Sequence, residues 1–306
     1  MTDSRIATAV SPVTAADFVV DTSAGALRAS ALDGWSAGDA AAAMTKSFED
    51  YVVPMAIDGA GFDQRFGAEH VDRFLSRIYF DGEQLVGISL VCRRGHTARL
   101  GGFGIVPAYR GRGLARTLMH DLVRRVAAAG SDRLVLEVIR TNVAAVRLYE
   151  TLGFESVRRL VGYRWDAPAG TDADTSAAPD VDEADPVRVA RVLGHTGLVD
   201  PPWQLAPETV AAAVAPRRAF TVDDRAFALV RTSAEAVTLS ALVVRPDVRR
   251  RGYATRLIDG LRARFAGRAW SVPPVVPDGV AAPFFAATGW VPHDLEQIEM
   301  SCDLRR

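Results

Sequence analysis

The chain has 306 residues, of which 49% are hydrophobic and 24% charged, a balance that predicts a globular protein long enough for two domains. Its formal net charge of −1 gives no general attraction to nucleic acid or to an anionic membrane surface. Two cysteines exclude a disulfide-framework fold, and no apolar run approaches the ~20 residues of a membrane helix. Since the first residues also lack the pattern of a secretory signal, we expect a cytoplasmic protein.

The predicted elements alternate between helix and strand. Apolar residues at helical spacing predict helices, and short apolar runs predict strands. In chain order these are a polar arm over 1–24, helices over 39–48 and 67–78, strands over 84–94 and 99–107, a helix over 112–129, a strand over 133–139, a helix over 143–152 and a strand over 154–165. The alternation predicts an α/β fold.

Residues 167–180 (APAGTDADTSAAPD) form the clearest predicted linker, because they are small and acidic, include two prolines and lack any large apolar residue. We therefore predict a first domain over 25–166 and a second over 181–306.

The two predicted domains share an internal repeat. Arg110-x-x-Gly113-x-Ala115 in the first half matches Arg249-x-x-Gly252-x-Ala254 in the second, and each follows an apolar strand and opens an amphipathic helix. Further on, LYETLGF (148–154) matches FFAATGW (284–290) at a similar spacing. Two matches in the same order indicate one fold present twice in tandem.

The repeated turn is a candidate phosphate site. A glycine-rich connection from strand to helix directs free backbone N–H groups and a helix N-terminus at one point, which suits an anion. The dinucleotide fingerprint fails, because Arg116 stands where its third glycine belongs, and the single lysine, Lys46, excludes a Walker loop. The alternative is a tight surface connection whose arginines are solvated.

These motifs resemble the GCN5-related N-acetyltransferase (GNAT) superfamily, whose diphosphate-binding pattern is Arg/Gln-x-x-Gly-x-Gly/Ala. The segment from Leu136 to Phe154 (LEV…N…A…LYE..GF) strengthens the resemblance. It implies a mixed α/β sheet split into a V, acetyl-CoA as co-substrate and acetyl transfer to a primary amine. The residues it implies for coenzyme binding are Gly104, Ile105, Val106, Arg110, Gly111, Arg112, Gly113, Leu114, Ala115, Arg116 and Asn142.

Two side chains are candidates for the chemistry. Glu137 interrupts an apolar run, and a carboxylate there is costly to bury without a partner or a task. The resemblance implies that Glu137 is the base, acting through water, and that Tyr149 protonates the leaving thiolate. The alternatives are a salt bridge between Glu137 and an arginine, and a core tyrosine at 149. Asn142 could likewise bond the pantetheine arm or cap a helix.

The second copy departs from this pattern. Phe285 stands in place of Tyr149, Asp278 in place of Asn142 and Pro273 in place of Glu137. Its strand over 270–277 (WSVPPVVP) contains three prolines and cannot form a complete central ladder. We therefore predict a degenerate second domain.

The acceptor and partners are less defined. In the superfamily the acceptor side is built by the first helices, here Phe48 to Tyr51 with Phe62 and Phe66, although these aromatics could simply be core. The five histidines lack metal-ligand spacing, so we predict no metal. We expect a small-molecule or peptide amine as acceptor and a monomer or homodimer. The alternatives are a non-catalytic acyl-CoA-binding regulatory or scaffold protein and a nicotinamide-dependent enzyme.

Overall fold

The structure of the protein is a computed structural model. It describes residues 17–22, 25–53, 55–166 and 179–305. The chain divides into two compact units, the first made of residues 1–138, 142–157 and 300–306 and the second of residues 139–141 and 158–299. Most of the predicted arm and linker therefore lies outside the described residues. No described helix is long and apolar enough to cross a membrane.

The first unit is built on a mixed sheet. Its strands are β1 (Phe18–Thr22), β2 (Gly25–Ala31), β3 (Arg77–Asp81), β4 (Gln84–Arg94), β5 (Thr97–Ile105) and β6 (Arg133–Ile139). They lie side by side in that order; β1 to β5 are antiparallel neighbours, and β6 runs parallel to β5. The sequence prediction of an arm over 1–24 does not anticipate β1, an edge strand of this sheet.

The α-helices among the described residues of the first unit are α1 (Ala37–Ser47), α2 (Gly59–Ala68), α3 (Leu114–Ala128) and α4 (Val143–Thr151). Helix α1 begins with a capping box, in which the Ser36 hydroxyl accepts from the Asp39 amide and the Asp39 carboxylate accepts from the Ser36 amide. Helix α4 is followed by Gly153 at a φ of 84°. The predictions of α1, α3 and α4 are confirmed.

The predicted helix over 67–78 is wrong. Helix α2 ends at Ala68, Phe74 is 67% exposed, and β3 begins at Arg77. The four residues from Arg77 to Phe80 are all buried, so β3 lacks the alternation that marks a half-exposed strand. Its apolar residues, together with those of the preceding turn, imitate helical spacing.

The second unit repeats this architecture. Its strands are β7 (Glu155–Trp165, shared with the first unit), β8 (Asp182–Ala184), β9 (Arg217–Val222), β10 (Ala226–Thr232), β11 (Ala236–Val244), β12 (Ala269–Pro277) and β13 (Val291–Pro292). Its helices are α5 (Pro186–Gly194), α6 (Pro207–Ala211), α7 (Tyr253–Arg264) and α8 (Ala282–Ala287), and the last strand of the chain is β14 (Gln297–Asp303). Strand β11 pairs with β12 in parallel over three residues, as β5 pairs with β6 over four.

The repeat extends to an irregularity of the sheet. In the first unit one extra residue, Gly101, is accommodated where β4 pairs with β5, and in the second unit Ser240 is the extra residue where β10 pairs with β11. The predicted effect of the prolines is also confirmed, because the β12–β7 ladder is interrupted between Val272 and Val276. The α/β fold with tandem copies and a split mixed sheet is therefore as predicted.

Candidate active site

The site of the first unit begins where β5 and β6 part. Their parallel ladder runs from Thr97 to Leu100 on β5, and the bulge at Gly101 follows immediately. Beyond it, the ladders described for β5 join Gly102–Ile105 to β4 only. One edge of this segment is thereby opened.

The register decides which residues face the opened edge. Val106 N donates to Val86 O at 2.9 Å, so these residues form a hydrogen-bonded antiparallel pair. Because such pairs alternate, the main-chain groups of Ile105 and Phe103 point away from β4, towards the opened edge. Ile105 is among the predicted coenzyme-binding residues, whereas Phe103 is not, because its orientation depends on a register that the sequence does not reveal.

Gly104 has a packing reason of its own. A Cβ at this position would lie 2.9 Å from the Ser47 carbonyl oxygen and 3.0 Å from the Phe48 ring. Only glycine therefore allows the end of α1 to pack this closely on β5.

The glycine-rich turn follows, and its backbone is in the left-handed region at Gly111 (φ 75°) and Gly113 (φ 76°). Gly113 is the N-cap of α3 and supplies no side-chain hydrogen bond, so the first amides of this helix have no capping side chain. A Cβ at Gly111 would meet no atom within 4 Å, and Arg112 and Arg116 are exposed. An open turn with uncapped amides and cationic side chains fits a diphosphate.

Arg110, the first residue of the motif, directs its side chain to main-chain carbonyls of the protein. Arg110 Nε donates to Ile105 O at 2.8 Å, and its Nη2 donates to Glu49 O at 2.5 Å and to Ser47 O at 3.4 Å. Its guanidinium is thus bonded to the end of β5 and to the C-terminal end of α1.

Glu137 lies one residue beyond the last β6 residue paired with β5, and it has a partner. Its two carboxylate oxygens accept from Arg99 Nε at 2.8 and 3.1 Å, and Arg99 Nη1 donates to Glu69 at 2.7 Å. The side chains of all three residues are only 4% exposed. Although burial acts to lower it, the carboxylates of Glu137 and Glu69 raise the pKa of Arg99. The structure thus places Glu137 in the ion pair that sequence analysis kept as its alternative.

Tyr149, on α4, is buried near a second tyrosine. Burial and the electrostatic effect of Tyr51 raise the pKa of Tyr149 above its ordinary value. Burial raises the pKa of Tyr51 as well, while the nearby side chain of Asn142 acts to lower it. Asn142 Oδ1 accepts from Ala145 N at 3.2 Å, so this residue caps α4, the alternative to a contact with the pantetheine arm. Tyr149, Asn142 and Tyr51 therefore form a cluster of neutral hydrogen-bonding groups.

A cleft of about 600 Å³ opens beside the turn. It is lined by the end of α1 (Lys46, Glu49 and Asp50), by residues 83–85 and by residues 106–109. Phe62 and Phe66, two aromatics of the predicted acceptor region, are fully buried and belong to the hydrophobic core. Among the residues that the structure describes, no cluster of His, Cys, Asp and Glu could hold a metal ion.

The second unit has a similar turn but different side chains at the positions of Tyr149 and Asn142. Gly252 (φ 81°) is the N-cap of α7 and also lacks a capping side chain. Phe285 is buried and stacks on Tyr163 at 4.1 Å, while the carboxylate of Asp278 is bound by Arg159.

Comparison with known proteins agrees with this geometry. The model of the acetyltransferase (GNAT) family matches residues 40–154. Over 66 residues, 22% of this chain and 19% of the relative, the sequence is 41% identical to the mycothiol acetyltransferase of Frankia casuarinae. It is 34% identical to N-alpha-acetyltransferase 30 of Schizosaccharomyces pombe over 104 residues, 32% of this chain and 67% of that protein. The chain belongs to the GNAT superfamily of acetyltransferases.

The tandem arrangement has a structural counterpart. A tandem GNAT protein from the clavulanic acid biosynthesis pathway superposes with a TM-score of 0.61, covering 89% of this chain and 98% of that one at 14% identity. This likeness concerns the fold alone. The matches to the mycothiol acetyltransferases of Frankia casuarinae and Corynebacterium efficiens span 19% and 29% of those relatives' lengths.

Proposed function

We propose that the first unit transfers the acetyl group of acetyl-CoA to a primary amine. The observation that carries the proposal is the juxtaposition in one unit of an uncapped, glycine-rich turn, an opened strand edge and a buried neutral tyrosine. In this proposal the amides from Gly111 to Ala115 hold the diphosphate, and the main chain of Phe103 and Ile105 pairs with the pantetheine arm.

Acetyl-CoA would supply the acetyl group as a thioester, whose carbonyl carbon the amine attacks while the C–S bond breaks. Tyr149 donates its phenolic proton to the departing sulfur and regains a proton from solvent. Its raised pKa keeps that proton in place at neutral pH. Tyr51, which acts electrostatically on Tyr149, would contribute to the acceptor side.

The proton that the attacking amine loses has two possible routes. Glu137 could receive it through water, as the family resemblance implies, or Glu137 could serve only to hold the strand junction through Arg99 while solvent takes the proton. The bidentate contact with Arg99 favours the second role. The two roles predict different results on substitution.

The acceptor is an amine in either a peptide or a small molecule. The names of the relatives point both ways, to N-terminal amines and to a small thiol-containing amine. We further propose that the second unit, within residues 181–306, is a degenerate copy, because Phe285 cannot donate a proton. Binding of an acyl-CoA without turnover is the second candidate function, and these losses favour it for that unit.

The test is release of free CoA thiol from acetyl-CoA with a panel of peptide N-termini and small amines. We expect turnover with at least one class and a loss of about 10²-fold or more in kcat for Tyr149→Phe. Phe285→Ala is the matched substitution in the second unit and should leave kcat within twofold. Normal turnover in Tyr149→Phe and abolished turnover in Phe285→Ala would reverse the assignment of the units. CoA binding without any product would favour the second candidate function.

A further inference from the structure

Arg110 occupies the first position of the coenzyme motif, yet its guanidinium is directed to protein carbonyls. Its three contacts, to Ile105 O, Glu49 O and Ser47 O, span the end of β5 and the C-terminal end of α1. The last carbonyls of a helix lack intrahelical partners and carry partial negative charge, so a guanidinium is well suited to them. These bonds use two of the three guanidinium nitrogens.

The second unit contains the same contact. Arg249 occupies the same motif position, and its Nη2 donates at 3.2 Å to the carbonyl of Thr196, two residues after α5 ends at Gly194. Both motif arginines therefore bond the C-terminal end of the first helix of their unit. This contact persists in the unit where Phe285 replaces the tyrosine. A feature kept without the chemistry indicates a role in placing segments.

The segment that Arg110 holds carries part of the site. Glu49 is two residues before Tyr51, which lies close to the side chain of Asn142 and acts electrostatically on Tyr149. The proposed coenzyme turn is thereby bonded to the loop that would form the acceptor side. We infer that Arg110 is a positioning residue, which fixes residues 47–51 against the coenzyme turn and does not bind the diphosphate with its side chain.

The inference rests on the proposed function and makes a specific kinetic prediction. Loss of Arg110 should loosen Tyr51 and the acceptor wall while leaving the amides of the turn in place. The expected effect is a higher KM for the amine and a lower kcat, with CoA affinity nearly unchanged. If the Arg110 side chain bonded the diphosphate, its loss would instead lower the affinity for CoA and leave the KM for the amine nearly unchanged.

The decisive comparison uses two donors, acetyl-CoA and S-acetylpantetheine, which lacks the diphosphate. For Arg110→Ala we expect a higher KM for the amine and a lower kcat, which together reduce kcat/KM for the amine about tenfold. This reduction should be the same with both donors. Arg110→Lys, which keeps one donor group, should recover part of the loss. Arg116→Ala, an exposed arginine of the same turn, is the matched control and should raise the KM for acetyl-CoA several-fold more than that for S-acetylpantetheine.

Two further measurements do not depend on turnover. Hydrogen exchange of residues 47–53 should accelerate in Arg110→Ala, and that of residues 195–198 in Arg249→Ala, while calorimetry should give a Kd for CoA within threefold of wild type in Arg110→Ala. A Kd raised tenfold or more with unchanged exchange would overturn the inference. Absence of turnover in the wild type would instead contradict the proposed function, and the exchange and calorimetry results would still decide the role of Arg110.

Discussion

Substitution of Glu137 by Gln separates a base from an ion-pair partner. Glu137, Arg99 and Glu69 are buried together, with Arg99 donating to both carboxylates at 2.7 to 3.1 Å. Removal of one member of such a buried pair costs about 3–5 kcal/mol, because it leaves a charge uncompensated. Glu69 remains in place, so we expect the lower limit, a loss of about 3 kcal/mol in the free energy of unfolding.

The same substitution has another signature if Glu137 is the base. Loss of a general base lowers the rate by about 10²–10⁴-fold and need not alter stability. The assay is urea unfolding of each variant beside kcat per folded molecule. Glu69→Gln is the matched control, because it removes the other carboxylate of Arg99 and lies on the turn after α2. We expect the two variants to lose similar stability and to retain similar kcat. Wild-type stability with kcat reduced 100-fold in Glu137→Gln alone would refute the ion-pair role.

Three further outcomes are expected. Gly111→Ala should weaken CoA binding measured by calorimetry. Gly130→Ala is the control, because Gly130 also has a positive φ and open space around its Cα but lies at the other end of α3, so this variant should lose stability alone. Equal loss of CoA affinity in both variants would contradict the role of the turn. Burial, aided by Glu69, raises the pKa of the Cys92 thiol to about 12, so iodoacetamide at pH 8 should modify it only after unfolding in urea. The raised pKa of Tyr149 means that its proton is lost only above the ordinary value of about 10, so kcat should show no alkaline fall from this group below that pH; a Tyr149-dependent fall near pH 8 would contradict it.

Local signals in the sequence were sufficient for much of the fold. Helix α3 is amphipathic over four turns, and α4 ends at a glycine whose φ is positive, so both are visible in the residues themselves. The turn at Gly113 is recognisable because its motif recurs around Gly252, and the two glycines have the same left-handed conformation. Strand β3 was missed for the reverse reason, because burial on both faces removes the alternation by which a strand is recognised.

The candidate site was only partly predictable, because its partnerships join distant residues. Nothing in the sequence selects Arg99 as the partner of Glu137, from which it is separated by 38 residues. The direction of the Arg110 side chain is equally hidden, since it depends on how closely α1 approaches Gly104. Residue types at a motif therefore predict which backbone binds a ligand more reliably than where a long side chain points.

The second copy helps to separate the roles of the shared motif. Both units retain a left-handed glycine at the helix N-cap and an arginine bonded to the end of their first helix. In the first unit a phenol, Tyr51, lies near the helix-capping amide of Asn142, whereas in the second the positions that correspond to Tyr149 and Asn142 are a stacked phenylalanine and a salt-bridged aspartate. Features common to both copies cannot account for chemistry in one of them alone, whereas the tyrosine cluster belongs to the first copy. That contrast is the strongest support for chemistry in the first unit, and it makes the second unit an internal control for every substitution in the motif.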